Sequence, residues 1–236
     1  MNRIARMVLL NFFRLPFMLP KLWHYAKHTD EYPEQEKWDH IHKILQYAVK
    51  AGTVDLLVTG RENIPAEDGF MLYGNHQGMF DVVALAADWD RPLAAVLKKE
   101  LAEVPLLKQV RLCTNSFAMD REDVRQSLTV IKSVTEEVQK GRNYLIFPEG
   151  TRSRNGNVMG EFHGGSFRAA MKAKCPILPL CFVDCFKVLD QKGSKRVSVQ
   201  MHYLKPIPYE EYQDMKTVEV AALVKSRIQE VLDANT

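Results

Sequence analysis

The chain has 236 residues, 46% of them apolar and 26% charged, with a formal net charge of +3 at pH 7. That length suits one α/β domain whose core needs no disulfide or metal staple. The composition excludes disorder, collagen and coiled coil, and the near-neutral charge speaks against a general nucleic-acid binder.

The cationic excess is local. Residues 1–29 carry Arg3, Arg6, Arg14, Lys21 and Lys27 and no acid, leaving 27 basic and 29 acidic residues in the rest. Residues 7–19 are apolar apart from Asn11 and Arg14. Arg14 splits that run far below the roughly 18 residues that cross a bilayer. The internal Arg, with no small-residue cleavage site after it, does not fit a signal peptide. On a helical wheel Arg3, Arg6, Arg14 and Lys21 gather on one side. Ile4, Val8, Phe12, Leu15, Leu19 and Leu22 gather opposite. Pro16 and Pro20 are expected to break or kink this helix near residues 13–15. After a polar turn at 30–33, Trp38, Ile41, Ile44, Leu45 and Ala48 predict a second amphipathic helix. A basic face opposite Phe and Leu suits an interface with an anionic membrane leaflet. Helices packed on the protein's own core are the other reading. Residues 1–50 are taken as a two-helix membrane-association module and 51–236 as an α/β domain. The expected location is the cytoplasmic face of the cell membrane, peripheral or monotopic.

From residue 53 onward, apolar runs alternate with helical stripes. Residues 54–58, 70–73, 93–97, 115–120, 144–147, 177–183 and 197–202 read as strands, and 80–87, 122–140, 165–174 and 217–232 as helices. The 122–140 stripe is Val124, Leu128, Ile131, Val134 and Val138, closed by Gly141. Such alternation predicts a mostly parallel sheet flanked by helices. Cys113, Cys175, Cys181 and Cys185 form no C-x-x-C pair and read as reduced thiols. A long polar loop covers 152–164 and suggests a site.

Three constellations follow strands, where ligands bind in open α/β sheets. His76 and Asp81 stand five apart across a strand-to-helix turn, so the carboxylate can return to the imidazole and orient it as a base. A local structural bond between the two is the bland alternative. Residues 147–154 read Phe-Pro-Glu-Gly-Thr-Arg-Ser-Arg, a turn whose N–H groups and arginines suit an anion. Lys98, Lys99 and Arg121 add cations at two further strand ends, or form a solvated rim. No nucleophile elbow, P-loop or strand-linked G-x-G-x-x-G is present. The expected site is a general base with an anion cradle and no metal or cofactor.

In order, the chain shows Asn75-His76-Gln77 with Asp81, Lys98-Lys99-Glu100-Leu101, Asp120-Arg121, Phe147 to Ser153, and Cys175-Pro176-Ile177-Leu178-Pro179. Over about 54–202 this resembles the glycerophospholipid acyltransferase superfamily, and most of all the bacterial 1-acyl-sn-glycerol-3-phosphate acyltransferases. The N-terminal helices are also similar to the membrane-seated module of bacterial members. The resemblance implies His76 as base and Asp81 as its partner. It implies Arg121, Lys98 and Arg152 on the acceptor's phosphate. Glu149, Gly150 and Thr151 would shape the acceptor site, with the Gly150 N–H serving the oxyanion. Pro176 and Pro179 would belong to a motif near the acyl-binding region. The implied reaction moves a fatty acyl group from acyl-CoA or acyl carrier protein to lysophosphatidic acid, giving phosphatidic acid without a covalent enzyme intermediate. Two alternatives stand beside it. One is a superfamily enzyme acting on glycerol-3-phosphate or another lysophospholipid. The other is a non-catalytic membrane-surface binding protein. The chain departs from the family pattern at Asn115, Ala118 and His163.

Overall fold

The computed structural model describes residues 2–236. In chain order it contains α1 (Arg3–Leu10), α2 (Leu15–Lys27), α3 (Glu34–Ala51), β1 (Val54–Thr59), β2 (Met71–Gly74), α4 (Phe80–Asp88), β3 (Ala94–Lys98), α5 (Leu107–Cys113) and β4 (Phe117–Met119). There follow α6 (Val124–Gln139), β5 (Tyr144–Ile146), α7 (Arg168–Ala173), β6 (Ile177–Val183), α8 (Phe186–Leu189), β7 (Val197–Tyr203), α9 (Tyr209–Tyr212) and α10 (Thr217–Asp233). The seven strands form one sheet in the order β1-β7-β6-β2-β5-β3-β4. Every pair is parallel except β6 with β7, so the α/β reading holds with one reversal.

The central strands are buried on both faces, which is why they read as unbroken apolar runs rather than alternating ones. Met71, Tyr73, Tyr144 and Ile177 turn to one face, where they meet Val134 of α6, Ala170 of α7 and Val224 and Ile228 of α10. Leu72, Leu145, Leu178 and Phe182 turn to the other, against Trp38 of α3, Phe80 and Leu85 of α4 and Val188 of α8. The period of two along a strand produces this division. Helix α6 begins where the Asp123 carboxylate accepts from Arg125 N at 2.9 Å and Gln126 N at 3.0 Å. It ends at Gly141, whose φ of +92° lies in the region open to glycine. Val124 and Leu128 of its expected apolar stripe are exposed, so the first turn projects beyond the core.

The N-terminal region differs from expectation in two ways. It holds three helices rather than two, because the break expected near residues 13–15 is a full turn at 11–14 between α1 and α2. Pro16 sits in the first turn of α2, where its missing N–H costs nothing, and so starts a helix. Pro20 lies inside α2 without ending it. The second difference is that Arg3 and Arg6 of the basic face turn inward, while Arg14 and Lys21 stay exposed. The buried Arg3 guanidinium donates to Val188 O and Lys195 O at 2.9 Å each and to Gly52 O. Arg6 Nε donates to Ala51 O at 3.1 Å, and Arg14 lies over the Tyr47 ring. Arg3 and Arg6 thus serve carbonyls at the C-terminal end of α3, where the helix dipole is negative. Phe12, Phe13 and Phe17 stand outward at 60%, 86% and 78% exposure. Leu22, placed on the same apolar side, is instead buried with Tyr25, Ile41 and Cys113. Among the described residues no helix is long and apolar enough to cross a membrane.

Removing Arg3 would leave buried carbonyls without donors. Arg3→Met should lower the unfolding free energy by about 2–3 kcal/mol, the scale for hydrogen bonds to a charged group. Urea denaturation reads this directly, and an unmoved midpoint would contradict it.

Candidate active site

Three strand ends, those of β2, β5 and β4, build the site. β2 runs out at Gly74 into residues 75–79, and α4 then begins at Phe80. Asn75 locks the end of β2 to β6: its Nδ2 donates to Phe182 O at 2.9 Å, and its Oδ1 accepts from Phe182 N at 2.8 Å. His76 follows directly. Its Nδ1 lies 2.7 Å from Asp81 Oδ2, on the first turn of α4. The same oxygen accepts from Gln77 N at 2.7 Å and Gly78 N at 3.0 Å. Asp81 is fully buried, and its Oδ1 has no partner among the described residues. Burial pushes this carboxyl up from its ordinary value, while the bond to His76 and the two backbone donors hold it down. The His76 ring stacks on Phe147 with centroids 4.0 Å apart and planes at 16°. Asp81 beneath and Phe147 alongside leave Nε2 as the open nitrogen of the ring.

The turn after β5 meets the turn after β2. Glu149 is buried, with Oε1 accepting from His76 N at 2.6 Å and Oε2 from Gly160 N at 2.8 Å. Ser153 N in turn donates to His76 O at 2.7 Å. Glu149 therefore ties the base-bearing turn to the 152–164 loop, and both its oxygens are occupied. Burial pushes its carboxyl up, against the two N–H donors. Arg121 reaches across from the end of β4 and donates to Gly150 O.

The remaining expected site residues are arranged less simply. The Gly150 N–H donates to Phe147 O at 3.1 Å, closing a turn that needs Gly150 at φ +67°. It is thereby withdrawn from the oxyanion role expected of it. The N–H groups of Thr151 and Arg152 donate to no protein acceptor among the described residues. The Arg152 side chain bonds Asp190 Oδ1 at 2.6 Å. Lys98 pairs with Glu100 at 2.9 Å and Lys99 with Asp120 at 3.0 Å, so both cations stay within their own sheet edge.

Gln77 stands in the motif after β2, but its long-range partners, and Asp190, were invisible to sequence reasoning. Gln77 bridges Asn157 at 2.6 Å and Cys185 N at 2.9 Å, and Asn157 carries the link to Asp184 N at 3.0 Å. Asp190 also accepts from Met79 N at 3.0 Å. None has a local spacing that announces it. The four thiols are buried, and burial pushes Cys113 up to about 11 and Cys175 and Cys181 to about 12. Held as thiols, they offer no nucleophile at neutral pH.

The folded Glu149 carboxyl holds its proton more tightly than the unfolded one. Its contribution to stability is therefore full below the unfolded value and is lost as pH rises through the raised folded value. Glu149→Gln loses one backbone acceptor, which is a pH-independent cost. Its stability relative to the parent should nonetheless improve as pH rises above the ordinary carboxylate range. Denaturant titrations across that range test this, and a constant difference would contradict it.

A family model described as Acyltransferase matches residues 55–183. A 1-acyl-sn-glycerol-3-phosphate acyltransferase of Salmonella typhimurium is 31% identical over 170 residues, covering 71% of this chain and 69% of the relative. One from Helicobacter pylori is 30% identical over 118 residues, 50% of each chain, so the match spans about half that relative's length. The crystal structure of the 1-acyl-sn-glycerophosphate (LPA) acyltransferase PlsC from Thermotoga maritima superposes with a TM-score of 0.74. It is 18% identical and covers 99% of this chain and 97% of that one, which establishes a shared fold.

Proposed function

The chain belongs to the Acyltransferase family, and from that premise we propose that it transfers a fatty acyl group from a thioester to the free hydroxyl of 1-acyl-sn-glycerol-3-phosphate. The observation that carries the reading is the 2.7 Å bond from His76 to a buried Asp81, beside the 147–153 turn. The names of the relatives supply the substrate class.

An alcohol is a weak nucleophile at neutral pH. With Nδ1 committed to Asp81, Nε2 of His76 removes the hydroxyl proton as the oxygen attacks the thioester carbonyl. The ester C–O bond forms and the C–S bond breaks. The departing thiolate takes the proton back from the imidazolium, which Asp81 stabilises in the interval. Both substrates sit together, so proximity does the work that a covalent intermediate would otherwise do. Negative charge builds on the carbonyl oxygen, and the open N–H of Thr151, within the 147–153 turn, is the donor proposed for it. Arg121 and Arg152 hold the acceptor phosphate, where a planar guanidinium makes paired bonds. The donor is acyl-CoA or an acyl carrier protein; both leave as free thiols.

Acyl chains are insoluble, so an enzyme seated on the membrane avoids carrying them through water. Residues 1–50 are the proposed seat. The outward Phe12, Phe13 and Phe17, together with Val8, Leu9 and Leu10, supply the apolar contact. Their inward-facing arginines fix α1 to the domain, a different use from the leaflet contact first expected of them.

Two tests follow. Release of free thiol from an acyl thioester should depend on lysophosphatidate. It should fall by roughly 10²-fold or more in His76→Ala, the scale of general-base catalysis, and Arg121→Ala should raise the acceptor KM about tenfold, the scale for a charge-assisted bond. Full turnover in the His76 variant would overturn the base assignment, and preference for glycerol-3-phosphate would overturn the acceptor. Separately, replacing Phe12, Phe13 and Phe17 by Ser should cut binding to phosphatidylglycerol vesicles by roughly 10²-fold or more, given about 1.5–3 kcal/mol per buried Phe. Undiminished flotation with those vesicles would refute the seat.

A further inference from the structure

Two carboxylates fasten the 75–79 turn to the rest of the site. One is the buried Glu149. The other is Asp190, just past α8, and no motif points to it. Its Oδ1 accepts from Arg152 Nη1 at 2.6 Å, and its Oδ2 accepts from Met79 N at 3.0 Å. These partners lie 38 and 111 residues away in sequence. The backbone at Gly78 passes so close that a side chain there would overlap Asp190 Oδ2 and come within 3.1 Å of Phe186 Cα. The carboxylate is thus held at both oxygens with little room to swing.

Arg152 spends one nitrogen on this contact. Its Nη2 and Nε donate to no protein group among the described residues. A guanidinium has five N–H donors in a fixed fork, so a tether at one nitrogen orients the others. We propose that Asp190 is a positioning residue for acceptor binding: it aims the free edge of Arg152 at the phosphate of the lysophospholipid. The proposal rests on the acceptor reading given above. The charge of Asp190 is balanced by Arg152 itself and by the Met79 N–H, so it adds little repulsion toward the anion. Both side chains are partly exposed, at 31% and 27%, so the effect is orienting and modest.

The test is steady-state kinetics of the full chain, with oleoyl-CoA as donor and 1-oleoyl lysophosphatidate as acceptor. Asp190→Ala should raise the acceptor KM about 3- to 5-fold and leave the donor KM unmoved, the upper scale of one partly exposed charge pair. In an Arg152→Ala background the same change should add less than about twofold, because the residue it acts through is gone. Asp190→Asn keeps the shape and one acceptor oxygen, so it should give a smaller rise. It carries the comparison if the alanine variant does not fold. An unmoved acceptor KM, or effects that multiply fully in the double variant, would overturn the proposal. Wild-type protein that does not use lysophosphatidate would overturn the acceptor reading itself and this inference with it.

Discussion

The site depends on a carboxylate kept out of water. Asp81 is fully buried, and one of its oxygens gathers three donors: the His76 ring and the N–H groups of Gln77 and Gly78. Burial alone would drive such a group to its neutral form. The donors, and its place on the first turn of α4, oppose that drive. The same bonds fold the 75–79 turn tightly and stand His76 at the end of β2. Base, orienting partner and turn are one object, and none of the three can move alone.

The rest of the fold presents that object to its surroundings. Parallel strands bring the turns after β2 and β5, and the approach to Arg121 after β4, to one edge of the sheet. Ring stacking on Phe147 and the Glu149 bridge join the first two turns. The reversal at β7 places α8 and Asp190 on the flank of the same edge. Helix α1 contacts that flank too, through Arg3 to Val188 O. Helix α8 and Asp190 after it thus lie between α1 and the candidate site.

Much of this was legible in the residues. The central strands announce themselves because burial on both faces demands unbroken apolar runs, as in Ile177–Val183. The His76 and Asp81 spacing is local, and a strand-to-helix turn has few ways to be built. Other features were not legible for equally physical reasons. Helix α5 spans Leu107–Cys113, too short to establish a period. The wheel separates Arg3 and Arg6 from the apolar side, but it cannot say that carbonyls at the end of α3 await them. The spacing places Gly150 in the turn, but it does not reveal that its N–H closes that turn on Phe147 O. Asp190 and Asn157 act across long stretches of chain, where spacing carries no signal.

The most direct measurement is of the His76 ring itself, by ¹⁵N NMR of protein labelled at histidine. In the neutral ring the proton should reside on Nδ1, facing Asp81, with Nε2 bare and able to accept a proton from a hydroxyl. A proton found on Nε2 instead would mean that the carboxylate does not set the tautomer, and the base assigned to this site would not exist.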